Sequence, residues 1–494
     1  MNILLVYPET PATFWSFCNA VKFISKKSSE IPLGLITVAA LLPDDWNKRL
    51  IDMNVTNLKN KDIAWADYVF ISGMNIHMQS IKKIIKRCLN FGVKIVAGGP
   101  MVTTDYREFQ GVDHFILNEA EITLPQFLED LEKGKPKPIY TTADFPDLSS
   151  TPVPLWRLLD IKKYAGMNIQ YSRGCPYDCE FCSITMLNGR KPRTKTGEQF
   201  LNELTSLYQQ DWRNRVFIVD DNFIGNKKKL KTELLPALIQ WSKARDYPFS
   251  FTAETTINLA DDQELLNLMV EAGFSSTFIG IETPNSESLS ECGKSINLQR
   301  DMIESVKCIQ RSGLIVMGGF IVGFDSDPDT IFDEQINFIQ KSGIVTAMVG
   351  LLNAISGTKL SNRLESEKRL LHISGGNNMD GTLNFIPKMN YRDLMKGYSK
   401  ILHTIYSPRK YYERVKIFLQ EYRLPAIKTS SLTGNDIGAF FKSIWKLGFI
   451  EKGKRYYWKL LFLGLFRYPR QFATIVTLAI YGFHFRQIVK TIEH

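Results

Sequence analysis

Residues 168–182 read NIQYSRGCPYDCEFC, and this stretch decides the fold. Its first five residues have the short apolar pattern of a β-strand, and the strand leads directly into a loop that carries Cys175, Cys179 and Cys182. Parallel (β/α) barrels carry their chemistry at this carboxyl end of the strands. Thiolates are the ligands of iron–sulfur clusters, and three of them leave one iron of a four-iron cluster without a protein ligand. The stretch therefore predicts a barrel with a cluster that can bind a second molecule.

A structural zinc site is the main alternative for these cysteines. Such a site needs a fourth ligand, and its C-x2-C pair is usually matched by a second pair. No second pair is present, the histidines lie far from 175–182 in sequence, and Cys292 and Cys308 have the surroundings of a helix surface or a core. The C-x3-C-x2-C spacing after a strand favours the cluster over zinc or simple packing.

The chain around this stretch predicts an α/β protein with three regions. Residues 1–140 alternate short β-branched runs with helix-length segments, which predicts a doubly wound, Rossmann-like domain. Residues 141–160 are rich in Pro, Ser, Thr and Asp and predict a linker. Residues 161–360 contain six strand-like runs separated by helix-sized segments, which predicts a partial (β/α)6 barrel. Residues 361–494 lose the strand pattern and predict a mostly helical cap with a basic, aromatic tail.

Composition excludes several classes of protein. A hydrophobic content of 44% with 23% charged residues argues against disorder and against a polytopic membrane protein. Seven cysteines, an odd number, do not describe a secreted disulfide framework. The N-terminus lacks the charged flank and long apolar core of a signal peptide. We expect a cytoplasmic protein.

The net charge of +10 is concentrated in residues 408–494, where 16 Lys and Arg face 5 Asp and Glu. Residues 456–490 mix basic, aromatic and aliphatic side chains, and their longest uncharged stretch, 471–485, is shorter than the ~20 apolar residues of a spanning helix. This composition favours peripheral contact with the inner face of the membrane. A helical cap packed on the barrel stays open as the alternative, and nucleic acid is not expected.

The cysteine stretch resembles the radical S-adenosylmethionine (SAM) superfamily, whose motif C-x3-C-x-aromatic-C is matched by Cys175, Cys179, Phe181 and Cys182. The resemblance implies a [4Fe–4S] cluster, SAM bound to the open iron, and reductive cleavage of SAM to a carbon radical that takes hydrogen from a substrate. It also implies an electron donor such as flavodoxin or ferredoxin. The SAM contacts that it implies are Phe181, Asp220, Asp221, Asn222, Glu254, Glu282, Gly318 and Gly323. Helix capping and close backbone packing are the structural alternatives for the acidic residues and the glycines.

The first domain, with PLGL at 32–35 and GGP at 98–100, resembles the cobalamin-binding domain of the cobalamin-dependent class of that superfamily. In doubly wound sheets ligands lie beyond the carboxyl ends of the strands. The cobalamin contacts that the resemblance implies are Leu35, Ser72, Gly73, Gly98, Gly99, Pro100 and Glu119. No Asp-x-His-x-x-Gly follows the first strand, so no histidine is predicted to ligate cobalt. A domain that binds no cofactor is the alternative.

The C-terminal region is similar to that of cobalamin-dependent radical SAM enzymes that act on lipids, including hopanoid C-methylases. The resemblance implies C-methylation of an unactivated carbon in a hydrophobic or lipid-like small molecule. A cobalamin-dependent cyclase or ring-rearranging enzyme is one alternative, and a cluster-bearing sensing or binding protein is another. Methylthiotransfer would need a further cysteine-held cluster in the first domain, where only Cys18 and Cys88 occur.

Overall fold

Two parallel six-stranded sheets organise the protein in the computed structural model, which describes residues 1–377, 379, 381–425, 427 and 434–492. The α/β class, the doubly wound first sheet and the six-stranded second sheet are therefore confirmed. The first sheet ends at Tyr140 and the second begins at Met167.

The first sheet has the strand order β2-β1-β3-β4-β5-β6, and apolar clusters cover both of its faces. The strands are β1 Asn2–Tyr7, β2 Asn47–Asp52, β3 Tyr68–Ser72, β4 Lys94–Gly98, β5 His114–Ile116 and β6 Ile139–Tyr140. The helices are α1 Leu33–Leu41, α2 Asn60–Trp65, α3 Met78–Leu89, α4 Pro100–Asp105 and α5 Ala120–Glu132. Strand β1 is an uninterrupted apolar run because helices bury it on both sides. The strand order reverses at β1, and this leaves a crevice at the carboxyl edge.

The second sheet is an open barrel with the strand order β7-β10-β11-β12-β13-β14. Its strands, with a separate two-stranded ladder β8–β9, are β7 Met167–Ile169, β8 Ser172–Arg173, β9 Arg193–Thr194, β10 Arg215–Ile218, β11 Ser250–Thr255, β12 Phe274–Glu282, β13 Ile315–Val322 and β14 Thr346–Leu351. Its helices are α6 Ile184–Asn188, α7 Gly197–Gln209, α8 Lys227–Lys229, α9 Leu235–Lys243, α10 Gln263–Ala272, α11 Ser286–Glu291, α12 Met302–Arg311, α13 Ile331–Ser342 and α14 Lys359–Ser366. The ladder brackets the cysteine loop, so the predicted strand 168–172 is in fact divided between β7 and β8.

The C-terminal helices share one apolar core with the barrel. They are α15 Tyr391–Tyr406, α16 Pro408–Glu421, α17 Gly434–Ser443, α18 Lys454–Arg467 and α19 Phe472–Ile492, and the π-helical turn Ile444–Ile450 extends α17. The stretch Pro469–Ile492 is long and apolar enough to cross a membrane, but 61% of its most apolar window is buried inside the protein. Residues 471–485 thus pack mostly inside the helical cap.

The segment between β1 and α1 connects the first sheet to the barrel and to α19. Phe14 lies with its ring centroid 5.4 Å from that of Phe485, and Phe23 lies 5.6 Å from Phe483. Trp15, the next residue, contacts Phe278 of β12 at 4.6 Å. A segment that precedes the barrel in sequence therefore forms part of the barrel wall.

Candidate active site

The cysteine loop begins with a turn that requires glycine. Gly174 has φ +95°, and a Cβ there would lie 2.9 Å from the carbonyl oxygens of Asn188 and Lys191. Its backbone N–H donates to Oδ2 of Asp221 over 2.8 Å, and the side-chain amide of Asn188 donates to the same oxygen over 2.9 Å. The turn therefore directs Cys175 away from β8 at the carboxyl edge of the barrel.

Contacts from the other side of the barrel hold the middle of the loop. The backbone N–H of Glu180 donates to the carbonyl of Cys292 over 2.9 Å, and Nε of Arg363 donates to Oε1 of Glu180 over 2.6 Å. Asp178 accepts a hydrogen bond from Lys359 at the start of α14. The loop is thus attached to the first barrel strands at one end and to the last barrel helix in its middle.

The three thiols suit an iron–sulfur cluster. Burial raises the pKa of Cys175 and Cys179, and it raises that of Cys182 to about 12; the other cysteines of the loop add to the rise for Cys179 and Cys182. Buried thiolates are costly by themselves, and a cationic cluster would offset their charge. Within the described residues no three Cys, His, Asp or Glu side chains converge on a single metal ion. A four-iron cubane fits the C-x3-C-x2-C spacing of the loop, because each of the three thiolates would bind a different iron.

A lysine that the sequence analysis missed lies beside the cysteines. Nζ of Lys294 donates to Oε1 of Glu282 over 2.8 Å, and both side chains are about nine-tenths buried. Burial acts against the charge of Lys294, but Glu282 and the sulfurs of Cys179 and Cys182 outweigh it and raise the pKa of the lysine. Glu282 at the end of β12 therefore holds a cation next to the cluster loop. No local pattern reveals this pair, because α11 separates the two residues in sequence.

Asp220 and Asp221 support the loop directly. Asp220 is 1% exposed and accepts hydrogen bonds from the backbone N–H groups of Tyr171 and Ser172 over 2.7 and 2.8 Å, and from the Ser172 hydroxyl over 2.6 Å. Burial raises the pKa of Asp220 to about 7. Protein donors occupy both carboxylate oxygens of Asp220, so this residue holds the backbone before the cysteines. Its contact with SAM stays a prediction, and that role is better supported for the polar residues beside it.

Asn222 and Glu254 retain polar capacity for a bound molecule. Asn222 is 2% exposed, and no described group donates to its Oδ1. Burial, followed by the carboxylates of Asp221 and Glu30, raises the pKa of Glu254 to about 8. A buried amide oxygen without a donor and a carboxyl crowded by other carboxyls both favour a cationic ligand. The amino and sulfonium groups of SAM have that character.

A cavity of about 180 Å³ lies inside the barrel next to the Glu282–Lys294 pair. Its apolar wall includes Phe14, Trp15, Phe278, Phe320, Met348 and Met379. Gly280, Glu282 and Gly319 also border it. The sequence analysis named Gly318, which does not border the cavity, and a Cβ there would lie 3.2 Å from Ile344; its contact with SAM stays a prediction. Side chains alternate along β13, so the residue that faces the cavity is Gly319.

Gly323 and Phe181 lie at the edge of this site. Gly323 has φ +105°, and its N–H donates to Oδ2 of Asp327 over 2.8 Å, so it forms the turn after β13. The ring of Phe181 lies 6.2 Å from that of Phe324. Neither residue is shown to contact SAM, and both roles stay predictions.

The carboxyl edge of the first sheet has a tight floor of glycines. Gly99 has φ +91°, and a Cβ there would lie 2.3 Å from Oγ of Ser72. A Cβ on Gly98 would lie 2.7 Å from the carbonyl oxygen of Ile116, and Gly73 accepts a hydrogen bond from Met101 over 3.2 Å. The turns after β3 and β4 therefore meet without side chains between them. Such a floor fits a flat ring system placed over the edge, with Pro100 opening α4 beside it.

One predicted cobalamin contact, Leu35, is buried. It is 2% exposed in the core beneath the sheet with Ile3 and Leu5, because the helix that carries it turns this side chain inward, and its contact with a corrin stays a prediction. His77, which was not predicted to ligate cobalt, has partners within the protein: its Nδ1 accepts from the Met74 N–H over 3.0 Å, and its Nε2 lies 2.9 Å from the Thr10 hydroxyl.

Glu119, another predicted cobalamin contact, lies in an ion-pair cluster between the two domains. Arg173 donates to Glu119 and, over 2.8 Å, to Oε1 of Glu121. Arg193 of β9 donates to the other oxygen of Glu119 over 2.6 Å. All four side chains are at most 17% exposed. Since Arg173 lies two residues before Cys175, this interdomain cluster fixes the cysteine loop relative to the first sheet.

Comparison with protein families divides the chain in the same way as the structure. The B12 binding domain matches residues 23–128, the Radical SAM superfamily matches 169–339, and a domain of unknown function, DUF4070, matches 358–494. An uncharacterized methyltransferase of Synechocystis sp. is 40% identical over 99% of this chain and 92% of the relative. The hopanoid C-2 methylase of Rhodopseudomonas palustris is 36% identical over 78% of this chain and 73% of its own.

The chain belongs to the cobalamin-binding radical SAM methyltransferases. Among solved structures, the radical SAM methyltransferase TsrM from Kitasatospora setae, with cobalamin and a [4Fe–4S] cluster bound, aligns over 100% of both chains. Its TM-score is 0.61 at 12% identity, so the likeness supports the shared fold. For a cobalamin-binding radical SAM methyltransferase, the cluster, SAM and cobalamin are the expected cofactors, and a reductant and a small-molecule substrate are the expected partners.

Proposed function

We propose that the protein methylates an unactivated carbon of a hydrophobic or lipid-like small molecule. The apolar cavity beside Glu282 and the cluster loop is the observation that carries this proposal. When bound, the cluster with SAM supplies a hydrogen-abstracting radical and cobalamin supplies the methyl group. The hopanoid C-2 methylase, whose name states a lipid substrate, is a relative that supports the same class.

The protein's own residues position the reactants and exclude water. The interdomain cluster of Glu119, Glu121, Arg173 and Arg193 holds the cysteine loop against the first domain, whose carboxyl edge would hold cobalamin. Radical chemistry needs such fixed geometry, because small displacements cost large factors in rate. Phe14, Trp15, Phe278 and Met348 form a wall that keeps water from the reacting centre.

The size of the cavity indicates how a substrate enters. About 180 Å³ is less than the ~300–1,000 Å³ typical of small-molecule sites, so binding must displace part of the wall. Trp15 is 40% exposed and lies on the segment before α1, whereas Phe14, Phe320 and Met348 are at most 5% exposed. We infer that Trp15 moves to admit the substrate.

We infer further that the protein works on the cytoplasmic side with a flavodoxin-like or ferredoxin-like electron donor. It would contact the membrane through its C-terminal region, where lipid-like substrates are available. The concentration of positive charge in residues 408–494 supports this placement.

The test is anaerobic reconstitution with iron, sulfide and hydroxocobalamin, followed by SAM, reductant and a lipid extract. We expect bound corrin, 5′-deoxyadenosine, S-adenosylhomocysteine and a lipid product heavier by one methylene. Trp15→Ala should change the KM for the lipid with little effect on abortive SAM cleavage, and Phe91→Ala, on the far side of the first domain, should change neither. Formation of 5′-deoxyadenosine with a product of unchanged carbon count would refute methyl transfer.

A further inference from the structure

Exposed apolar side chains are concentrated in one part of the C-terminal region. Of the 22 large hydrophobic side chains that are exposed in the described part of the chain, eight lie between residues 437 and 466. They are Ile437, Phe441, Trp445, Phe449, Ile450, Phe462, Leu465 and Phe466. Their exposed fractions run from 53% to 79%, so this region, and not the buried α19, is where the protein presents apolar surface.

These side chains form one continuous ridge. Ile437, Phe441, Trp445 and Phe449 recur every fourth residue along α17 and its π-helical extension, which places them on one side. Ring centroids are 6.1 Å apart between Trp445 and Phe449, and 5.9 Å between Phe449 and Trp458 of α18. The series continues along α18 through Phe462 to Phe466, with separations of 6.1 and 6.3 Å. We call residues 437–466 the aromatic hairpin.

The aromatic hairpin is a packed structure and not a loose tail. The indole N–H of Trp458 donates to the carbonyl of Gly448 over 2.9 Å, and a Cβ on Gly448 would meet that ring at 3.1 Å. The hydroxyls of Ser443 and Tyr457 are hydrogen-bonded at 2.7 Å in the interior. Lys442 donates to Ser25 of the N-terminal segment over 2.8 Å. The hairpin therefore presents its ridge in a fixed orientation.

Positive charge surrounds the ridge. Between 434 and 471 the basic residues are Lys442, Lys446, Lys452, Lys454, Arg455, Lys459, Arg467 and Arg470, and the acidic ones are Asp436 and Glu451. Arg455 and Lys459 lie 4.7 and 5.9 Å from the ring of Tyr456, and Arg467 lies 5.8 Å from that of Tyr468. Aromatic rings flanked by basic side chains are typical of a segment at the boundary between lipid headgroups and acyl chains.

We propose that the aromatic hairpin is the docking surface for an anionic lipid bilayer. This inference rests on the peripheral attachment proposed above and assigns it to α17 and α18. Eight basic and two acidic residues complement anionic headgroups, while the exposed rings enter the interface. A second copy of the chain fits less well, because a symmetric dimer would bring two positive surfaces together.

The experiment is co-sedimentation of the full-length protein with phosphatidylcholine vesicles, with and without phosphatidylglycerol. The triple variant Phe441→Ala, Trp445→Ala, Phe466→Ala should lose binding to anionic vesicles. Its matched control, Leu89→Ala, Phe91→Ala, Ile386→Ala, removes side chains of 50%, 43% and 50% exposure elsewhere and should bind like the wild type. Lys452→Gln, Lys454→Gln, Lys459→Gln should bind anionic vesicles about 100-fold less tightly, since each basic residue near such a surface contributes about a factor of five.

The outcomes separate docking through the aromatic hairpin from membrane attachment in general. If the wild type sediments with vesicles and the aromatic triple variant does so equally, attachment stands and the hairpin is not its surface. If the wild type does not sediment with either vesicle, both inferences fail. Vesicle-independent dimers that the triple variant abolishes would assign the ridge to a second copy and overturn the lipid proposal. Unchanged SAM cleavage by the variants in detergent-free buffer verifies that they fold.

Discussion

Arg173→Met should destabilise the junction between the two domains by about 3–5 kcal/mol, because it leaves buried carboxylates without their partner. Arg173 is 13% exposed and donates to Glu119 and to both oxygens of Glu121, whose side chains are 7% and 4% exposed. After the substitution Glu119 retains Arg193, whereas Glu121 keeps no cationic partner and retains the Thr151 hydroxyl, 2.7 Å away, and its own backbone N–H. The loss of stability therefore arises chiefly from the uncompensated charge of Glu121.

The assay is the urea midpoint together with hydrogen exchange of residues 174–182. Adding Glu121→Gln to Arg173→Met should recover much of the lost stability, since the uncompensated charge is then removed. The matched control is Arg409→Met, which breaks a pair between side chains 72% and 37% exposed and should cost less than about 1 kcal/mol. Equal losses in Arg173→Met and Arg409→Met would refute a structural role for the interdomain cluster.

Three further outcomes follow from the site. Gly99→Ala should abolish corrin retention after desalting, because its Cβ would lie 2.3 Å from Oγ of Ser72, whereas Gly34→Ala, with nothing within 4 Å, should retain it. Asp220→Asn should lower stability by about 1–3 kcal/mol and reduce iron content after reconstitution, because an amide cannot accept all three donors. The pKa of Glu254 is raised to about 8 in the folded apoprotein, which therefore holds a proton that the unfolded chain releases near its usual value of 4.5. The free energy of unfolding should therefore fall as the pH rises from 4.5 to about 8. Glu254→Gln should make this fall smaller, as measured by urea titrations at several pH values.

Local patterns predicted the parts of the structure that local chemistry determines. The cysteine spacing, the strand before it and the glycine turns after β3 and β4 are all readable within ten residues of sequence. The doubly wound first sheet and the six-stranded second sheet followed from the alternation of strand and helix signals. The cofactor class followed from the cysteine motif together with the first domain.

The sequence could not show which residues distant in the chain come into contact. Glu119 is 54 residues from Arg173, and nothing near either one indicates that they pair. Which glycine of β13 borders the cavity depends on the direction in which the strand faces, and the sequence does not give that direction. Apolar residues suit a core as well as a membrane surface, so the sequence of the tail did not show that α19 is mostly buried while α17 and α18 carry exposed apolar side chains.

The contact between the N-terminal segment and α19 determines when the site can exist during synthesis. The carbonyl of Phe14 accepts a hydrogen bond from Nε2 of His484 over 3.1 Å, and the two residues are 470 positions apart in sequence. Phe14 thus lacks its packing against Phe485 until α19 has left the ribosome, although Tyr406 and Met379 also contact it. A nascent chain that already carries a folded cysteine loop would still lack the complete wall of this cavity.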